Sequence, residues 1–397
     1  MDSNDLILIQ EKHAQLDKML SGMQADCWIV YCREGRDPST WLLTGYPMVG
    51  ESAFVLTRNG EKYAIVANYD AAGIEDLRVF DRVIAYGLEG LDNYLKDLIK
   101  ALQPQIIALN FSEEDFLVDS LTMGMFQKLE CLLKDLNINL SYVSSEPILS
   151  ALRARKSPEE IRRIREAIEI TEQIFADVAR FAKAGMTERD ICTFIEKKQK
   201  EYGVASVGEY GAAVCTGRVG LGHRSPGNYP LIPGDVVSID MGVFYRGYCS
   251  DITRTFYILR PGELEPPPKV RKRFEIAKEA VHKAIEAMVP GKRGFEIDKV
   301  ARDYLVQHGV EPYPHALGHQ IGRFVHDGDG LLAPLVPRYG NRGKAILEPG
   351  NVYTIEPFIY SQTGTNGFPP IGLEEDVLVI ESGAEILTTP QTELICI

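Results

Sequence analysis

From Leu8 to about Ser150, apolar runs alternate with amphipathic stretches. Cys27-Trp28-Ile29-Val30-Tyr31 and Glu61-Lys62-Tyr63-Ala64-Ile65-Val66 read as strands, and segments near 91–102 and 122–134 as helices. This alternation predicts an α/β domain. A boundary follows at Leu152 to Ile161, where Ser157 is placed to cap, Pro158 suits the first helical position and Glu160 completes a capping box. The next helix puts Ile161, Ile164, Ile168, Phe175 and Val178 on one stripe and ends near Gly185. A second helix is expected from Thr187 to Gly203, after which Gly-, Pro- and Val-rich sequence marks strands and turns. A comparable helix pair recurs at about 271–309. There Pro290-Gly291-Lys292 with Phe295-Glu296-Ile297 echoes Ala184-Gly185-Met186 with Arg189-Asp190-Ile191. The expected organisation is therefore an α/β domain over 1–150 and a second domain over 151–397, built from a duplicated helix and antiparallel-strand unit.

Length and composition agree with this division. A chain of 397 residues exceeds what one core usually serves, and 45% hydrophobic with 25% charged residues suits a folded protein throughout. A formal charge of −13 without a clustered basic face excludes nucleic acid and anionic membrane as expected partners. Met1 to Gln10 fits neither a signal nor a transit peptide, and no apolar run approaches a membrane span. Seven scattered cysteines without a Cys-x-x-Cys pair point to reduced thiols and a cytoplasmic setting.

The chemistry concentrates in the C-terminal half. Val236 to Phe256 reads as a hairpin around Arg246-Gly247. Folding about the Tyr245/Arg246 step would set Asp240 opposite Asp251 on one face. Each aspartate alone reads as a solvated or turn-capping residue. As a facing pair they would repel unless a divalent cation lay between them. His315-Ala316-Leu317-Gly318-His319-Gln320-Ile321-Gly322-Arg323-Phe324-Val325-His326 then holds three of the seven histidines. Imidazole is both a common metal ligand and a proton carrier near neutral pH. Two further strands, Asn351 to Tyr360 and Gly372 to Ile380, are expected to form a second hairpin through a link containing Gly364, Asn366 and Gly367. Glu356 falls in an apolar run where an unpaired carboxylate is costly. Strand parity alone does not choose among Glu374, Glu375 and Asp376.

This order of residues resembles the creatinase/aminopeptidase, or pita-bread, metallopeptidases. It comprises two Asp, then Gly-His-x-x-Gly, then Glu-Pro, then an acidic pair before Val-Leu-Val. The likeness is to their Xaa-Pro aminopeptidase and prolidase branch, over about 152–390, with residues 8–150, including Trp41 to Tyr46, resembling that branch's N-terminal domain. The resemblance implies an α/β N-terminal domain joined to an α+β pita-bread catalytic domain. It implies two divalent metal ions, Mn²⁺ first and Co²⁺, Fe²⁺ or Zn²⁺ as alternatives, held by Asp240, Asp251, His319, Glu356 and Glu374. It further implies that His223, His326 and His315 attend the substrate, that Glu356 doubles as proton shuttle, and that the chain forms a homodimer through its N-terminal domain, with the tip at Pro47 to Gly50 reaching a partner's cleft.

The departures bear on substrate. The Arg that usually follows the His-Glu/Asp pair of prolidases is missing from His326-Asp327-Gly328-Asp329-Gly330, with Arg323 and Arg338 as candidates to replace it. Gly372 stands where family members commonly carry Arg, and Gln320, where Gly is common, is expected to narrow the pocket. The leading expectation is a peptidase cleaving short peptides at an Xaa-Pro bond, aminopeptidase rather than strict dipeptidase. The alternatives are a same-fold hydrolase of a non-peptide C–N bond in a small metabolite and a catalytically silent binding protein.

Overall fold

The computed structural model describes residues 3–136, 138–207, 211–219, 224–360 and 370–397. The chain divides into two compact units, one of residues 1–153 and 157–159, the other of 154–156 and 160–397. The expected link through Gly364, Asn366 and Gly367 lies outside the described residues, as does His223.

In the first unit, helices α1 (Ser3–Leu20), α2 (Ser39–Thr44), α3 (Asn68–Leu77), α4 (Asp92–Leu102), α5 (Met123–Lys134) and α6 (Glu146–Ala154) accompany one sheet. Its strands are β1 (Cys27–Cys32), β2 (Ser52–Thr57), β3 (Lys62–Ala67), β4 (Arg82–Tyr86), β5 (Ile106–Leu109) and β6 (Ser141–Ser144), in the order β4-β3-β2-β1-β5-β6. β1, β2 and β3 pair antiparallel, and the outer pairs are parallel. The predicted α4 and α5 lay Leu95, Ile99, Leu129 and Leu133 on the core that Ile29, Val55 and Ile107 supply from the sheet. Thr122 caps α5 by accepting the Met125 N–H.

The second unit opens with helices α7 (Pro158–Phe181) and α8 (Glu188–Glu201). Ile164, Ile168, Phe175 and Val178 are buried as the stripe predicts, whereas Ile161 is half-buried. Strands β7 (Ala205–Ser206), β8 (Ala213–Thr216), β9 (Val236–Met241), β10 (Val243–Tyr245), β11 (Tyr248–Cys249) and β12 (Ile252–Tyr257) follow. Helices α9 (Pro268–Ala287) and α10 (Gly294–Gln307) come next, then β13 (Gly318–His319), β14 (Leu331–Leu332), β15 (Val352–Ile355), β16 (Glu375–Ile380), β17 (Gly383–Ile386) and β18 (Ile395–Cys396). The sheets run β18-β12-β9-β8 and β15-β16-β17, with β11-β10-β7 and β13-β14 as smaller partners. Phe274, Ala277, Val281, Ile297, Ala301 and Leu305 from α9 and α10 bury Tyr353, Ile355, Val377 and Val379 of the strands.

The duplication is visible in matched hydrogen bonds. Gly185 donates to Leu231 O and Leu231 to Met186 O at 2.8 and 2.7 Å, while Gly291 donates to Leu347 O and Leu347 to Lys292 O at 2.9 and 2.8 Å. Both glycines hold a positive φ, 91° and 89°. Asp190 accepts the Thr187 N–H at the head of α8, as Glu296 accepts the Arg293 N–H at the head of α10, each at 2.8 Å. Asp235 and Asn351 close the matching turns, accepting the N–H groups of Ile232 and Glu348. Asp240, at β9, and Glu356, just past β15, therefore occupy corresponding places in the two halves.

The first hairpin departs in register from expectation. Its turn is Arg246-Gly247, both with positive φ, so Tyr245 pairs with Tyr248, and Asp240 lies opposite Thr253 rather than Asp251. The shift is two residues along one strand, which preserves side-chain parity. Asp251 instead occupies the interruption between β11 and β12. Gly242 lies opposite it, and a Cβ there would meet Ser250 O at 1.9 Å.

The backbones pack equally closely beside His319, where a Cβ on Gly318 would come within 1.8 Å of Thr354 O. G318A is expected to cost at least about 2 kcal/mol, read as a lowered denaturation midpoint. G124A, which meets nothing within 4 Å in α5, should leave the midpoint unchanged or raise it.

Candidate metal centre

A cavity of about 380 Å³ in the second unit is lined by Asp240, Asp251, His319, Glu356, Glu374 and His326, together with Val207, Gly211 to Ala213, Met241, Gly242, Val325, Arg224 and Ser225. Five sequence segments thus deliver the five candidate donors to one space. One ligand atom each from Asp251, His319 and Glu374 falls within 4.8 Å of the others. His319 Nε2 is 3.6 Å from both Asp251 Oδ2 and Glu356 Oε1.

Local structure explains each placement. Asp240 sits in β9 between Ala213 and Thr253 of its neighbours. Asp251 escapes the regular ladder, its N–H donating to Asp376 Oδ2 at 3.2 Å. Glu374 precedes β16, its N–H donating to Thr253 O at 3.2 Å and its Oε2 accepting the Thr253 hydroxyl at 2.9 Å. This resolves the parity ambiguity. Glu374 lines the cavity, Glu375 turns away to meet Arg254 at 3.0 Å, and Asp376 lies behind Asp251. His319, in β13, is held by donation from its backbone N–H to Thr354 Oγ1 at 3.2 Å. Glu356 is fixed by its N–H to Leu317 O at 2.7 Å.

The accessory histidines differ. The His326 ring lies 4.2 Å from that of His319 at 62°. His315 is outside the cavity wall, its ring packed against Tyr313, Phe358 and Tyr360 at 5.2, 5.8 and 5.9 Å. Burial first, and then the charges of Glu356 and Asp240, push the Tyr360 hydroxyl up to about 12. Arg224 and Ser225, which follow His223 in sequence, line the cavity.

The departures noted in the sequence acquire physical content. Arg323 stacks over Tyr248, 5.4 Å from the ring, and Arg338 over Tyr339 at 5.5 Å, and neither lines the cavity. Gln320 does not narrow the pocket. Its amide donates to the Tyr353 hydroxyl at 3.0 Å, under Gly328 and Gly330. At Gly372 a Cβ would meet Phe358 Cε1 at 2.5 Å and Ser238 Oγ at 2.6 Å, so the Phe358 ring fills the space of a side chain there.

Arg254 and Thr253 were not singled out from sequence, although a Thr-Arg pair in an apolar strand right after Asp251 is a usable signal. Arg254 is buried and donates to the backbone carbonyls of Glu374, Thr253 and Thr389 and to Glu375 Oε2 at 2.7–3.1 Å. It holds the strand end that carries Glu374.

Electrostatically the site is crowded with like charge. Burial first, then Asp240, Asp376 and Glu356, raises the Asp251 carboxyl well above its usual range. Burial, then Asp251, Glu356 and Asp240, does the same to Glu374, and burial with Asp240 to Glu356. Burial, then His326, lowers His319 to about 3, so its imidazole is neutral and available as a donor. Four converging carboxylates and one neutral imidazole are a donor set for hard or borderline divalent cations, whose charge would relieve the repulsion.

A carboxyl whose pKa is higher folded than unfolded binds more protons when folded, so stability falls as pH rises between the two values. Chelator-treated protein is therefore expected to lose stability as pH rises above about 4. E374Q should raise its melting temperature at pH 8 by roughly 2–4 °C, for about 1 kcal/mol of relieved repulsion, and that gain should fade toward pH 4. The same substitution should weaken Mn²⁺ uptake, measured by titration calorimetry.

The profile of Metallopeptidase family M24 matches residues 162–381. An uncharacterized peptidase of Bacillus subtilis is 29% identical over 337 residues, covering 84% of this chain and 89% of that protein. One from Staphylococcus aureus is 33% identical over 258 residues, covering 65% and 68%. Among solved structures, the X-Pro aminopeptidase of Thermotoga maritima superposes with a TM-score of 0.76 at 26% identity, over 96% of this chain and 100% of that one. A Xaa-Pro dipeptidase of Bacillus anthracis reaches 0.76 at 23% identity over 98% and 100%, a likeness of fold. With the pita-bread architecture and a cavity of converging carboxylates already in place, these matches establish that the chain belongs to metallopeptidase family M24 and is a metal-dependent peptidase.

Proposed function

We propose that the chain removes the N-terminal residue from short peptides by hydrolysing an Xaa-Pro bond, with tripeptides and longer substrates preferred over dipeptides. The observation that carries this reading is the makeup of the cavity wall. Five candidate metal donors and His326 share it, and its described cationic side chain, Arg224, is engaged by buried Glu188 through two hydrogen bonds of 2.6 and 2.7 Å. A dipeptide's free carboxylate would thus find no uncommitted guanidinium among the described lining residues, whereas a longer peptide places its carboxylate elsewhere.

Asp240, Asp251, His319, Glu356 and Glu374 would hold two divalent cations, Mn²⁺ by preference, with Co²⁺, Fe²⁺ or Zn²⁺ compatible with the same donors. When bound, such a pair supplies acidified water and charge compensation at the scissile carbonyl. The chain's own groups manage the protons. Glu356 takes the proton released by the attacking water and returns it to the prolyl nitrogen as the C–N bond breaks. His326 donates a hydrogen bond to the carbonyl oxygen as negative charge develops there. Apolar Val207, Ala212, Ala213, Met241 and Val325 limit water around the reacting bond. The protein is further proposed to act as a homodimer in the cytoplasm. No helix among the described residues is long and apolar enough to cross a membrane.

Purified protein supplied with Mn²⁺ is expected to release the first residue of Xaa-Pro-Yaa tripeptides, to act less well on Xaa-Pro dipeptides, and to spare matched peptides without proline. Failure to cleave any Xaa-Pro substrate would overturn the reading. H326A should lower kcat by about 10²-fold or more with metal content retained, whereas D251A should lose both metal and turnover. Metal analysis beside steady-state kinetics separates the two.

A further inference from the structure

The loop that carries both cavity imidazoles is closed by an ion pair buried behind it. Asp327 follows His326, and its N–H donates to the carbonyl of Gln320, the residue after His319, at 2.8 Å. Asp327 Oδ2 accepts the Arg323 N–H at 2.8 Å and lies 3.5 Å from Lys156 Nζ. The side chains of Lys156 and Asp327 are 0% and 3% exposed. Lys156 Nζ also approaches Asp327 O at 3.4 Å. The fit requires Gly322, where a Cβ would stand 2.0 Å from Asp327 Oδ2 and 2.5 Å from Lys156 Cε.

The other end of Lys156 is tied to the strands that deliver the carboxylates. Its N–H donates to Gly350 O at 2.8 Å, and Gly350 donates to Val379 O of β16 at 2.9 Å. Gly350 lies just before β15, which leads into Glu356. Lys156 therefore spans from the strand pair bearing Glu356 and Glu374 to the loop bearing His319 and His326.

Burying an ammonium and a carboxylate together is an expensive way to fill space, because an apolar pair of similar volume is often at least as stable. What an ammonium adds over a methylene chain is a set of N–H donors, one reaching Asp327 O at 3.4 Å, that constrains where its partner sits. From this geometry we infer that Lys156 is a positioning residue. Acting through Asp327, its ammonium fixes the turn from Gln320 to Asp327 and so sets the His326 ring against His319. The inference rests on the proposed role of His326 for its kinetic consequence, but not for its structural one.

The test uses full-length K156M and D327N, each with ¹⁵N-labelled histidine. In metal-free protein both variants should shift the ring resonances of His326 and His319 while leaving His282 and His308, exposed and remote on other elements, in place. With Mn²⁺ and an Xaa-Pro-Yaa peptide, kcat should fall at least tenfold, with KM and metal content within about twofold. K156Q, which keeps a donor toward Asp327, should recover part of the loss. Ring signals that superpose on the wild type in both variants overturn the inference. So does a kcat decline that only follows the folded fraction measured by circular dichroism, or failure of both variants to fold, since the role is then structural. If wild-type protein cleaves no Xaa-Pro substrate, the proposed function fails, and the ring resonances alone still decide the position of Lys156.

Discussion

Four carboxylates that would repel one another are packed into one cavity of the second unit, and much of the surrounding structure serves to keep them there. Burial and mutual repulsion raise the pKa values of Asp251, Glu356 and Glu374, while burial keeps His319 neutral. A fold without a use for such an arrangement would relieve it by turning side chains to solvent. Here the backbone forbids that escape. Asp251 is held in a strand break by its N–H to Asp376, Glu374 by Thr253, and Glu356 by Leu317.

The duplicated architecture makes this convergence economical. Each half supplies a helix pair, a turn closed by an Asp or Asn side chain, and a strand ending at an acidic residue. Asp240 and Glu356 correspond between halves, and Asp251 and Glu374 each immediately precede the returning strand of their hairpin. Close backbone approach at Gly242 and Gly318 joins these pieces without intervening side chains. The result brings groups far apart in sequence to one cavity, at or beside strand ends whose backbone pairing positions them.

Around the donors lies a layer of buried polar contacts whose purpose is orientation. Arg254 ties the Glu374 backbone to Glu375, Thr354 fixes His319, and the Lys156 and Asp327 pair closes the loop between the two imidazoles. Glu188 engages Arg224 at the cavity wall, and Phe358 fills the space beside Gly372.

The sequence alone determined the element types, because periodicity of 3.6 or 2 follows from burying one face, and it determined the repeated helix pair through its Gly and capping residues. It also presented Asp240, Asp251, His319, Glu356 and His326 as chemically out of place, since acids in strands and clustered histidines are costly without a partner. Only the tertiary structure decided the hairpin register, because a shift of two residues preserves parity and leaves the hydrophobic pattern unchanged. It put Glu374 on the cavity wall, as the family resemblance implied and strand parity could not decide, kept Gln320, Arg323 and Arg338 off that wall, and set His315 among aromatic rings. Glu374 is held by Thr253, 121 residues away, and Gln320 by Tyr353, 33 residues away, contacts for which local spacing holds no information. The Lys156 and Asp327 pairing is of the same kind: an ordinary lysine at a helix boundary acquires its meaning from a loop that arrives much later in the chain.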